Sequence, residues 1–112
     1  MIIYVDIDET ICKSSFKSLY GAKTGATSIN YGKAVPIGEN ITKINELYES
    51  GHTIIYWTAR GTGTGIDWRN VTERQFEKWG VKYHQLKFGK PIYDLFIDDK
   101  NINSDVFFGV MK

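Results

Sequence analysis

Three short apolar runs, each followed at once by polar residues, constrain this chain more than any other feature. YVDIDETIC (4–12) opens as a strand and turns acidic at Asp6, Asp8 and Glu9; TIIYW (53–57) runs into Thr58; YDLFI (93–97) runs into Asp98 and Asp99. Runs of β-branched and aromatic residues without alternation are those of strands buried on both faces. Between the first two lies a helical stripe, with Ile41, Ile44, Leu47 and Tyr48 on one face of a helix over 38–50 that Gly51 ends as a left-handed cap. A second helix is expected from about Asn70 to Trp79, stopped by Gly80, and VKYHQL (81–86) reads as a short third strand. The order strand, helix, strand, helix, strand, strand predicts an α/β protein with a small Rossmann-like three-layer fold and a mostly parallel sheet. Ligands of such sheets sit beyond the carboxyl ends of the strands. Asp6, Asp8, Thr58, Asp98 and Asp99 are therefore expected along one edge.

A chain of 112 residues makes a single domain, 1–112, with one small core. Its 42% hydrophobic and 24% charged residues are ordinary globular values. The net charge of +1, without basic runs, argues against a nucleic-acid partner. The opening MIIYV reaches acidic residues by position 6, too soon for a signal peptide or a membrane span, so a cytoplasmic protein with no membrane partner is expected. Cys12 is the only cysteine, which excludes an internal disulfide. The irregular stretch 13–36 is a candidate lid, and a second, glycine-rich loop spans 59–69.

Four carboxylates on one edge would repel one another strongly, so a positive partner is implied. Oxygen ligands without His or Cys select Mg²⁺, which commonly takes one or two carboxylates, waters and a substrate phosphate. Lys90 adds a fixed positive charge and Thr58 a hydroxyl, both suited to the oxygens of a phosphoryl group.

DIDET with IIYWT, GKP and FIDD resembles the haloacid dehalogenase-like phosphohydrolases, whose pattern runs D-x-D-x-T/V, a Thr or Ser ending the second strand, a Lys, then paired acids. The resemblance spans the first strand to Asp99. It implies that Asp6 is the nucleophile forming an aspartyl-phosphate and that Asp8 is the general acid and base, with its backbone carbonyl offered to Mg²⁺. It also implies that Thr10 supports the loop on the substrate side, that Thr58 binds phosphate, and that Lys90 holds nucleophile and phosphate. Asp98, with Asp99 beside it, would complete a metal site that includes Asp6 and Asp8. Residues 11–57 leave no room for a cap domain beside their helix, so the chain looks like the capless subclass. GIDWRNVTERQFEKWGVKYHQLKFGKPIYDLFIDDKNINSD resembles small capless members associated with capsule and surface-polysaccharide synthesis. The expected activity is Mg²⁺-dependent hydrolysis of a small-molecule phosphomonoester, with a sugar phosphate as the candidate substrate. The absent cap implies an open site, so that either the substrate is bulky or a neighbouring subunit covers the pocket, and an aromatic content of 14% favours the homo-oligomer.

Two other classes compete. A phospho-acceptor domain also joins acids, Mg²⁺, Thr and Lys on a parallel sheet, but places its paired acids after the first strand, where this chain has them last. A catalytically idle partner-binding domain is the other. GTGTG lacks the G-x-G-x-x-G spacing and follows the wrong strand for dinucleotide binding. Arg60 is a candidate substrate contact, against a surface salt bridge. Tyr20, Tyr31 and Trp68 could stack on a sugar or base, with loop packing as the commoner role. Lys13, Lys33 and Arg69 default to solvated faces, His52 and His84 have no partner at ligand spacing, and Cys12 is expected to pack near the site without being reactive.

Overall fold

The computed structural model of the chain describes residues 1–14 and 30–109. The proposed lid at 13–36 falls mostly outside the described residues, and so does Tyr20.

Strands β1 (Ile2–Val5), β4 (Thr53–Trp57) and β5 (Gln85–Lys87) form a parallel sheet in the order β1-β4-β5. Ile2 pairs with Thr53 and Val5 with Tyr56; Ile55 pairs with Gln85 and Trp57 with Lys87. A second, two-stranded ladder joins β2 (Cys12–Lys13) to β3 (Val35–Pro36) in antiparallel register. It ties together the two ends of the long irregular stretch, a pairing too short to leave a pattern in the sequence.

Helix α1 (Gly38–Glu49) buries Ile41 and Ile44, with Leu47 and Tyr48 packed against the core, as the stripe requires. Gly51 follows it at φ +99°. Helix α2 (Arg69–Trp79) ends on Gly80 at φ +71°, whose N–H bonds back to the Phe76 and Glu77 carbonyls. Phe76 meets Tyr56 edge-to-face at 4.9 Å. Asn45 of α1 bridges to the end of α2, donating to the Gly80 carbonyl and accepting from the Lys82 N–H. Both helices therefore lie on the face that carries Ile54 and Tyr56, with Ile7, Ile11 and Ile44 in the same buried cluster. The opposite face presents Ile2 and Tyr4, with Tyr4 edge-on to Trp57.

The expected third strand contracts to Gln85–Lys87. Tyr83 joins the Tyr56–Phe76 ring cluster and His84 stacks on Tyr48, while the His84 N–H still donates to the Ile54 carbonyl of β4 at 2.8 Å. The expected fourth strand is not formed. Residues 91–99 are irregular, exposed and in no sheet, with a bend at Asp94 and with Leu95 at 75% and Ile97 at 86% exposure. After them a single helical turn, α3 (Ser104–Phe107), is capped by Asn103 and rests Phe107 against Lys43 of α1. Among the described residues no helix is long and apolar enough to cross a membrane.

Candidate functional site

Asp6 stands one residue past β1, at the carboxyl edge of the sheet. The Lys90 ammonium lies 3.6 Å from its Oδ1. Burial pushes the Asp6 carboxyl above the usual aspartate range, against the pull of Lys90 and the Ile7 N–H, while the charge of Asp8 adds to the rise. Lys90 is held from behind, because its N–H donates to the Thr58 carbonyl at 3.1 Å.

After Asp6 the chain folds into a tight turn, with the N–H groups of Thr10 and Ile11 both donating to the Ile7 carbonyl. Glu9 sits at φ +64°, a strained position for a residue with a side chain. Its carboxylate accepts from the Ser14 N–H and hydroxyl, and Lys13 lies 3.3 Å away. Burial opposes its ionisation, but these three partners outweigh it and hold the carboxyl below the usual range. The Thr10 carbonyl accepts from Asn40 Nδ2, which fastens the turn to the first turn of α1. Thr10 is buried, so it supports the loop and does not present itself to a ligand.

The turn aims Asp8 at Arg60. Nε donates to Oδ2 at 3.0 Å and Nη2 to Oδ1 at 2.9 Å, a two-point fork. Nη1 donates to Thr72 Oγ1 at 2.9 Å and to Gln75 Oε1 at 2.7 Å, and the guanidinium lies 4.9 Å from the centre of the Tyr31 ring. Arg60 is 2% exposed. It is not a surface salt bridge; it is a buried cation that ties Asp8 to α2. The signal was present in the sequence. Thr72 and Gln75 fall on the core-facing stripe of α2 beside Phe76, and polar residues there require a buried partner.

Thr58 is 1% exposed, and its Oγ1 accepts from the Arg60 N–H at 3.1 Å. Cys12 lies against the same cluster, with Sγ 3.5 Å from Asp8 Oδ1 and 3.8 Å from Arg60 Nη2. Burial pushes its thiol up to about 12, and the neighbouring Asp8 charge adds to that. The thiol is therefore protonated and inert, as the sequence led us to expect. Tyr31 lies over Arg60 and meets Trp68 edge-to-face at 5.1 Å, so both pack within the loops. His52 bonds the amino terminus and His84 Nδ1 accepts from the Ile54 N–H.

One chain thus brings together Asp6, Asp8, Thr58, Arg60 and Lys90. It does not bring Asp98 and Asp99 to them. Both lie on the exposed stretch, Asp98 accepting from the Lys100 N–H and Asp99 lying 3.8 Å from the Lys100 ammonium. Among the described residues no three His, Cys, Asp or Glu side chains are grouped to hold a metal ion.

The fold and these contacts define a small α/β domain with an acidic site at the carboxyl edge of a parallel sheet. No family model matches the chain, and no curated protein does. Among solved structures it is similar to a crystal structure of a structural-genomics target from Vibrio cholerae, with 22% identity and a TM-score of 0.74 over 100% of this chain and 90% of that one. At that identity the likeness shows a shared fold.

Proposed function

We propose that the protein hydrolyses a phosphomonoester through a phosphorylated Asp6. The observation that carries this reading is the Asp6–Lys90 pair at the carboxyl end of β1, with a second carboxylate, Asp8, two residues on and oriented by its own cation. An Asp6 oxygen would attack phosphorus in line, forming the acyl-phosphate bond as the bond to the leaving alkoxide breaks. Asp8 would deliver a proton to that alkoxide, and in the second half-reaction would take one from the water that attacks the aspartyl-phosphate, releasing phosphate and free Asp6. Lys90 offsets charge on the phosphoryl oxygens. Both Asp8 oxygens are engaged by Arg60, so proton transfer requires one of them to leave the fork. A sugar phosphate remains the proposed substrate class, on the strength of the sequence resemblance.

Mg²⁺ belongs to the same proposal, but the described residues of a single chain do not fit it. Asp6 is paired with Lys90, the Asp8 carboxylate is taken by Arg60, and the remaining two acids are elsewhere. The steps above therefore run on the protein's own groups.

The test is phosphate release from a panel of sugar phosphates, nucleotides and phosphopeptides with and without Mg²⁺, run on the parent and on Asp6→Asn. Turnover by the parent and none by the variant is expected. An Asp6→Asn protein that matches the parent would sink the covalent route, and a parent that turns over nothing would favour the idle binding domain.

A further inference from the structure

Two features of the chain are incomplete in the same way. The outer edge of β1 carries no strand among the described residues, so its N–H and C=O groups are open to pairing, and Ile2 and Tyr4 are exposed there. Residues 93–97 are an exposed, largely apolar segment, bent at Asp94, with no sheet to join and no backbone hydrogen bond to the body of the protein. Setting 93–97 parallel to β1 with Asp98 level with Asp6 places Leu95 beside Ile3 and Ile97 beside Val5, on the core side. Asp94 then falls beside Ile2 on the outer side. The alternation of the segment matches the strand it would join.

The chain cannot make that pairing with itself. Val5 is level with Tyr56, so Thr58, whose carbonyl holds the Lys90 N–H, is level with Ile7. In the parallel register Tyr93 is level with Met1, about 20 Å back along the strands at roughly 3.3 Å per residue. Lys90 and Tyr93 are three residues apart and reach at most about 11 Å. The connection from β5 to Tyr93 is residues 88–92, where a parallel crossover needs about a dozen or more.

From this geometry we infer that 93–97 docks on the β1 edge of a second copy of the chain, in a reciprocal two-fold exchange that brings Asp98 and Asp99 of each copy to the Asp6 of the other. The exchange carries α3 across as well, its contact with α1 re-forming on the partner. Self-complementary exchange of one element is a short route to a closed dimer. The shortness of the connection from β5 stands on chain geometry alone, while the register with Asp98 level with Asp6 is taken from the hydrolase reading. The assignment of Asp98 and Asp99 to the site rests on the hydrolase reading, and it supplies the carboxylates that a single chain lacks.

Two measurements separate these claims. Ile2→Cys with Asp94→Cys in one chain, oxidised and run on a non-reducing gel, should give a covalent dimer. Monomer alone on that gel, whether the new thiols are consumed within one chain or remain free, would overturn the exchange. Asp6→Asn and Asp98→Asn, each inactive alone, should regain roughly a quarter of parent activity when unfolded together and refolded. Half of the dimers are then mixed, and each mixed dimer has one of its two sites intact. A mixture as inactive as its components, with the parent active, would overturn the shared site. A parent inactive on every phosphomonoester would end the hydrolase reading, and the cross-link would still decide the exchange.

Discussion

The residue that most alters the reading of the site is Arg60. A guanidinium with no exposed surface is tolerable only with its charge and donors matched, and Asp8, Thr72 and Gln75 do that. Removing the cation leaves Asp8 facing two unmatched polar groups, so Arg60→Gln should cost about 3 kcal/mol of stability, near the lower end for a broken buried pair because Asp8 is partly exposed. Arg60→Lys should recover only part of it, since an ammonium cannot make the fork. Urea unfolding midpoints would show both, and an unchanged midpoint in Arg60→Gln would mean the cluster holds nothing together. Cys12 gives a second residue-level expectation. With its thiol pushed up to about 12, thiolate is scarce at neutral pH and attack requires the fold to open. Labelling by a thiol reagent should be slow in the native protein and fast in urea; equal rates would contradict the burial. Asp6, Asp8, Thr58 and Lys90 were legible because each follows an apolar strand or its loop. The burial of Arg60 and its fork to Asp8 were not legible, because one sequence shows a charge but not its depth, and only the polar positions on α2 hint at it.

Among elements, those whose stability comes from one buried stripe were readable to within a residue or two. Helix α1 begins and ends where Ile41, Ile44 and Gly51 require, and β4 matches its apolar run in full. Ile44→Ala should cost about 2–5 kcal/mol, because the side chain is 2% exposed and its removal leaves a cavity between α1 and the sheet. The elements that were misread depend on partners far away in the chain. VKYHQL forms its strand only at its end, where Gln85–Lys87 pairs with β4, and 93–97 is apolar enough for a strand yet is tethered too closely to β5 to join the sheet of its own chain. The glycine loop is a third case, because its role is conformational. Gly61 sits at φ +82°, and a Cβ there would lie 2.1 Å from the Ile66 carbonyl oxygen. Gly61→Ala should therefore cost about 1–3 kcal/mol and lower Tm by at least about 4 °C. A calorimetric scan matching the parent would show that the 61–66 turn can open without cost.

At the scale of the whole molecule, the core cluster under α1 and α2 is complete within one chain, while the site and the β1 edge are not. Folding and assembly should then be linked. If the folded species is an exchanged dimer and the unfolded species a single chain, Tm must rise with protein concentration, as it does for any state that gains a partner on folding. The same linkage reaches the metal. An ion bound jointly by Asp6 of one copy and Asp98 of the other binds the dimer and not the separated chain, so Mg²⁺ should shift the dissociation midpoint to lower protein concentration, and dimerisation should tighten Mg²⁺ binding by the same factor. Asp98→Asn should dimerise through the same strand but lose the Mg²⁺ effect, since the substitution changes a carboxylate at the end of the segment and leaves Leu95, Phe96 and Ile97 in place. Sedimentation of parent and variant across a dilution series, with Mg²⁺ and with chelator, reads all of this without an activity assay. A parent whose association is indifferent to Mg²⁺ would place the ion, if it binds, wholly within one chain.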